Sequence, residues 1–148
     1  MARPRRQAPT LATIAQTPVL KVWQGVLGRA VEGERITLAV VELEPDCAVP
    51  RHDHPNEQLG LVIEGQIRFT IGDETRTLGP GGTWRILGGV PHAARAGPQG
   101  AVVIDVFSPV RADWRGLERL PPSAPRWPPR PKARAGAPRR SRSRPTGS

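Results

Sequence analysis

A chain of 148 residues with 18 Pro and 16 Gly is long enough for one domain with its own core and too rich in turn formers for a bundle of long helices. Its formal charge of +9 points toward nucleic acid only until it is located: residues 1–10 carry +3, residues 121–148 carry +8 with no acid, and the residues between hold 11 basic and 13 acidic side chains. The basic excess therefore belongs to the ends and says nothing about what the central part binds.

No apolar run approaches the length of a membrane-spanning helix. Arg5-Arg6 is followed by A-P-T-L-A-T-I-A-Q-T-P, too polar and Pro-broken for a secretory leader. Cys47 is the only cysteine, which rules out an intrachain disulfide and fits a reducing, cytoplasmic setting; as a side chain it reads as a small core or loop residue.

In chain order, residues 1–18 read as a basic flexible arm. Residues 19–120 read as the folded domain. Arg35–Leu43 (R-I-T-L-A-V-V-E-L) is the first strong strand signal. Leu59–Glu64 and Gln66–Ile71 follow, the latter alternating cleanly with Ile67, Phe69 and Ile71 on one face. Gly72-Asp73 marks a hairpin into Glu74–Leu78. Gly79-Pro80-Gly81-Gly82 interrupts the chain before strands at Thr83–Leu87, His92–Ala96 and Ala101–Phe107. Ser108-Pro109 ends the last, and Ala112–Arg119 is expected to form a short helical turn. Many short strands separated by Gly/Pro turns predict an all-β sandwich or barrel. From Pro121 onward, eight of 28 residues are Pro and Trp127 is the one large apolar side chain. Such a segment has too little surface to bury against its chain entropy, so residues 121–148 are expected to form a disordered basic tail.

The most informative stretch is R-H-D-H-P-N-E-Q, Arg51 to Gln58. Side chains alternate on an extended strand, so His52 and His54 share a face and Gln58 keeps their parity, while Glu57 points away. A bend at Pro55-Asn56 would reverse that and present Glu57 instead. His92, far enough along for hairpins to return, supplies a third imidazole. Imidazole nitrogens with an amide oxygen suit one divalent transition metal: Zn, Ni, Mn, Fe or Co. An isolated His is usually structural, and an H-x-H pair alone is a weak signal. All three His of the chain falling into one arrangement is a stronger one.

These residues carry a resemblance. H-x-H-x3-Q followed by Gly65 is similar to the first motif of the cupin superfamily, and Gly81 with Gly89-Val90-Pro91-His92 is similar to the second. The likeness covers about residues 35 to 114 and implies a double-stranded β-helix, a jelly-roll barrel holding the metal in its bore. Asp46 stands where the first motif has Gly, Gln58 where most cupins have Glu, Leu87 where the second motif has Pro, and Ala96 where it has Asn. A neutral Gln leaves a bound cation one charge less compensated, which favours an anionic substrate and Lewis-acid chemistry over a Glu-type oxygenase site.

A second cluster follows the last strand. Asp105 shares parity with Val103 and Phe107, and a carboxylate facing a barrel interior is costly unless paired or used. Arg111 is the expected pair, and its guanidinium also suits a substrate carboxylate; a purely structural Asp–Arg pair is an equal reading. Asp105, Phe107 and Arg111 match the spacing seen in the family of the pectin-degradation protein KdgF. That resemblance implies conversion of a 4,5-unsaturated uronate to its linear 5-keto-4-deoxy form. It also implies that Asp105 acts as general acid/base, Arg111 as catalytic anion clamp and Phe107 as a wall for the sugar. Two other readings stay open: a non-catalytic, metal-stabilised binding or regulatory cupin, and a non-haem dioxygenase. Trp23, Trp84 and Trp114 are read as packing before sugar stacking. A homodimer paired through strand edges is expected; nucleic-acid contact by the basic tail is possible but not favoured.

Overall fold

The computed structural model describes residues 9–132 and 136; residues 1–8 of the basic arm and 133–135 and 137–148 of the basic tail lie outside them. The described chain is almost entirely β. Its strands are β1 (Val19–Trp23), β2 (Val26–Glu32), β3 (Thr37–Leu43), β4 (Ala48–His52), β5 (Glu57–Ile71), β6 (Glu74–Leu78), β7 (Thr83–Ile86), β8 (His92–Ser108) and β9 (Arg119–Leu120), with short 3-10 turns at Ile14–Gln16 and Ala112–Gly116. No helix among the described residues is long and apolar enough to cross a membrane.

Two long strands organise the fold. β5 pairs with β8 along almost its whole length, from Glu57↔Ser108 to Ile71↔His92. At one end β8 also pairs with β3, and at the other with β4; β5 likewise takes β7 at its start and β6 at its end. β2, β1 and β9 extend the sheet beyond β3. Register shifts between Val62/Glu64 and Gly65/Ile67 mark where β5 bulges, and bulges bend strands and add twist. Each long strand thus serves both halves of a jelly roll. Where sequence patterning suggests two strands on either side of Gly65, the chain runs through as one, because this glycine takes φ +76° and an ideal Cβ there would lie 2.1 Å from the Gly100 carbonyl oxygen.

Alternation places Val41, Leu43, Val62, Ile67, Phe69, Ile86, Val103 and Phe107 inside, where they form one continuous core with Trp84 and Trp114. The Gly72-Asp73 hairpin forms as expected, with Ile71 opposite Glu74. β1 and β2 carry weaker patterns and were not expected as strands, while the extended strand expected through His52 and His54 forms as β4 only as far as His52. Contacts to the barrel also continue past Leu120: the buried Arg29 donates to the backbone oxygen of Ser123 at 2.9 Å, and the Arg126 N–H donates to Glu42 at 2.6 Å.

The Gly65 bulge gives a test of this architecture. Gly65→Ala meets both left-handed backbone strain and a backbone clash, whereas Gly72→Ala, at φ +57° with nothing near its Cβ, meets strain alone, worth about 1–2 kcal/mol. In urea unfolding Gly65→Ala should lose clearly more stability than Gly72→Ala; equal losses would mean that the bulge is not a fixed feature.

Candidate metal centre and cavity

His52 ends β4, His92 opens β8, and the two face each other in the β4–β8 pairing. His54 lies just beyond β4, in the connection that Pro55-Asn56 bends toward β5, rather than on the strand itself. It nonetheless joins the other two: the ligating nitrogens of His52, His54 and His92 all lie within 4.8 Å of one another. The three His are positioned to bind a metal. Gln58, at the start of β5, is buried and turned inward, while Glu57 is exposed. Gln58 faces in and Glu57 out as expected, although residues 53–56 are not strand and the parity from His52 to Gln58 is not that of one continuous strand.

Each imidazole is fixed by a backbone carbonyl two residues away. Nδ1 of His52 is 2.7 Å from Pro50 O, Nδ1 of His54 is 3.0 Å from Asn56 O, and Nδ1 of His92 is 2.8 Å from Val90 O. A carbonyl only accepts, so in each neutral ring the proton sits on Nδ1 and Nε2 is left as a bare lone pair. Two consequences are visible. The Nε2 of His92 is buried with no hydrogen-bond partner. The Nε2 of His54 faces Gln58 Oε1 at 3.1 Å, an acceptor opposite an acceptor. Protonating these rings is not the remedy, because burial lowers the pKa of His54 and holds that of His92 at about 4. A cation among the three nitrogens and the amide oxygen satisfies all of them, so this donor set fits a divalent transition metal.

The orientation of the Gln58 amide is itself determined. Its Nε2 donates to Asp105 Oδ1 at 2.8 Å, which directs Oε1 toward the histidines. Asp105, on β8, is buried and accepts a second bond on the same oxygen from the indole N–H of Trp84 at 2.9 Å. Burial pushes its carboxyl up to about 6, against the opposing pull of these two donors and of Arg111.

The expected Asp105–Arg111 pair does not form. Arg111 makes a two-pronged bridge to Asp113, at 3.0 and 2.9 Å, and that bridge holds the Asp113 carboxyl below its ordinary value. The Arg111 guanidinium stacks over Phe107 at 4.7 Å and Trp114 at 5.2 Å from the ring centroids, and these rings, with Asp113, fix its direction. The loop carrying it is tied down twice. The Arg111 N–H donates to Thr37 Oγ1 at 2.9 Å, and the Asn56 side-chain amide donates to the carbonyl oxygens of Pro109 and Val110.

His52, His92, Gln58, Asp105, Phe107 and Arg111 line one half-open cavity of about 360 Å³ together with Trp23, Trp84 and Trp114. The packing expected of the three Trp is seen for Trp84 and Trp114, which are buried, but Trp84 also touches the chemistry. Sequence reasoning missed Trp84, Asn56 and Thr37, whose partners are distant in the chain.

Residues 39–107 match the model of the cupin domain. Among solved structures, the fold is similar to an RmlC-like cupin from Shewanella frigidimarina NCIMB 400, at 21% identity and TM-score 0.67, over 72% of this chain and 96% of that one. KdgF from a Halomonas species aligns at 23% identity and TM-score 0.66, over 71% of this chain and 97% of that one. An oxalate decarboxylase variant from Bacillus subtilis aligns at 24% identity and TM-score 0.59, over 72% of this chain and 32% of that one. No curated protein gives a match.

Metal addition supplies the test of the centre. Zn or Ni at a free concentration a hundredfold above Kd should stabilise the folded protein by about 2.7 kcal/mol, read as a rise in melting temperature. His52→Ala and His92→Ala should each abolish most of that rise; an equal rise in the variants would place the ion elsewhere.

Proposed function

We propose that this cupin-fold protein is a metal-dependent enzyme acting on a small anionic sugar-like substrate, in the manner of KdgF: opening of a 4,5-unsaturated uronate to the linear 5-keto-4-deoxyuronate. The observation that carries this reading is one cavity lined by His52, His92, Asp105 and Arg111, with the ligating nitrogen of His54 within 4.8 Å of those of the other two His and the guanidinium stacked on two aromatic rings. The spacing of Asp105, Phe107 and Arg111, like that of the KdgF family, supports the substrate class, and KdgF from a Halomonas species shares the fold.

In this reading His52, His54, His92 and Gln58 are the metal ligands. A divalent ion held there supplies Lewis acidity toward ring or hydroxyl oxygens of the substrate. Arg111 binds the uronate carboxylate. Its Nη2 and Nε are engaged by Asp113, while no acceptor among the described residues is bonded to Nη1, and the five-donor guanidinium has capacity for a second carboxylate. Asp105 uses Oδ1 to accept from Gln58 and Trp84, leaving Oδ2 to give or take the proton at the enol-like carbon. Phe107, buried at the base of the Arg111 stack, bounds the sugar ring. A soluble, cytoplasmic setting is part of the proposal.

The experiment is turnover of an unsaturated uronate by the metal-loaded protein, followed as loss of the ultraviolet absorbance of the conjugated double bond. Asp105→Asn should retain its metal and lose about 10²–10⁴-fold in turnover. Wild-type inactivity toward unsaturated uronates, or O2 consumption in their place, would overturn the reading.

A homodimer is also proposed, through a sheet face rather than the strand edges. Val31, Ile36, Leu38, Leu59 and Leu61 are exposed, and the register puts both Leu38 and Leu59 beside Val106, and Leu61 beside Ile104. A second copy presenting the same patch can cover this face with two-fold symmetry. Light scattering after size exclusion should give twice the chain mass, and Leu59→Lys with Leu61→Lys should halve it without altering metal content. A monomeric wild type would refute the dimer.

A further inference from the structure

One row of the sheet joins three strands through a missing side chain. Gly60 on β5 sits directly opposite Trp84 on β7 and opposite Asp105 on β8. The space above Gly60 is filled by the Trp84 ring: an ideal Cβ on Gly60 would lie 2.0 Å from both Cε2 and Nε1 of the indole. The indole therefore lies across the strand between it and Asp105, and its N–H reaches Asp105 Oδ1 at 2.9 Å. The ring also packs against Phe69, centroid to centroid 4.8 Å. The same carboxylate oxygen takes the Gln58 amide N–H at 2.8 Å. Two donors on one oxygen leave Oδ2 without a bonded partner among the described residues, at the wall of the cavity.

We infer that Trp84, seated over Gly60, is a positioning residue for the metal centre: by fixing Asp105 it fixes the amide of Gln58, which keeps the Gln58 oxygen turned to the histidines. An amide has two nearly isosteric orientations. Only the one with nitrogen toward Asp105 presents oxygen to the imidazole nitrogens. Without the indole, Asp105 loses one of its two fixed donors and is free to rotate about χ2, and the preference for the productive Gln58 orientation weakens. Gly60 is part of the device, because any side chain there displaces the indole.

The inference rests on the metal reading for its consequence but not for its geometry, and the experiment separates the two. In the metal-free protein, amide hydrogen exchange is followed by NMR at the Trp84 indole N–H, identified by its disappearance in Trp84→Phe, and at the Gln58 side-chain N–H2. Both should be protected in wild type. Trp84→Phe keeps the ring and most of the packing, and it should speed Gln58 exchange about tenfold, the weight of one hydrogen bond to a carboxylate. Gly60→Ala should do the same to the indole N–H. Affinity for Zn or Ni alone, measured by competition with a chromophoric chelator, should fall several-fold in Trp84→Phe with all three His present.

A Gln58 side chain that exchanges equally in wild type and Trp84→Phe would overturn the inference. So would a Trp84→Phe protein that melts lower yet binds metal with unchanged affinity, since that is the behaviour of packing alone. If wild type binds neither ion, the metal reading falls and the exchange measurement still decides whether Trp84 fixes Gln58. Should Gly60→Ala fail to fold, Trp84→Phe decides by itself.

Discussion

The register between β5 and β8 is the constraint on which everything else depends. It sets Gln58 opposite Phe107, Gly60 opposite Asp105, and Ile71 opposite His92. Side chains alternate with a period of two, so a slip of one residue would turn either Gln58 on β5 or Asp105 and Phe107 on β8 out to solvent, and bring in Leu59 and Leu61 or Val106 in their place. The apolar residues resist that slip poorly by themselves, because the outer face of these strands is nearly as apolar as the inner one. What pins the register is shape and polarity together: Trp84 fits only over Gly60, and Asp105 finds its two donors only where it stands.

The interior so built is not the most stable one available. A carboxyl, an amide and two imidazoles are buried among Val, Ile, Phe and Trp side chains, and burial of polar groups costs free energy unless each finds a partner. Most do. His52, His54 and His92 spend their Nδ1 protons on carbonyls of their own neighbourhood, which orders the rings without joining them to each other. The unmet demand is concentrated on the inward nitrogens. A fold selected for stability alone would have placed an apolar residue at position 92; a bare, buried Nε2 there is the mark of a ligand to come.

The site was legible in the sequence where it depended on local spacing, and hidden where it depended on register. H-x-H with Gln58 in parity is a local pattern, and the inward set came out as read even though the chain bends at Pro55-Asn56. Asp105 facing inward followed from alternation with Val103 and Phe107. The departures from the cupin motifs are also intelligible: Asp46, standing where the motif has Gly, still adopts φ +59°, a left-handed conformation that Asp tolerates better than most residues. By contrast, the partner of Arg111 could not be read from charge. Asp105 and Asp113 are both near in sequence, and only the return of the chain after Ser108 decides for Asp113. Trp84 was misjudged for a similar reason. Its environment is set by Gly60, 24 positions earlier, and a glycine inside a strand pattern signals a close approach without naming what approaches.

Gln58 and Asp105 are best understood as one unit. In a site with Glu as the fourth ligand, the negative charge touches the ion. Here the ligand position is neutral and the carboxylate stands one hydrogen bond behind it, 2.8 Å from the amide nitrogen. The two arrangements are not interchangeable one residue at a time, because a carboxylate at position 58 would face Asp105 across the same gap, where like charges repel strongly and the pair is held only by taking up a proton between them. Withdrawing the charge by one layer leaves the inner face of the centre electropositive while the protein as a whole keeps a compensating anion nearby. On the proposed reading this would favour an anionic ligand at a bound ion and at Arg111. Asp105 remains tethered by Oδ1, so on the proposed reading the neutrality of Gln58 and the freedom of the other carboxylate oxygen would have the same cause.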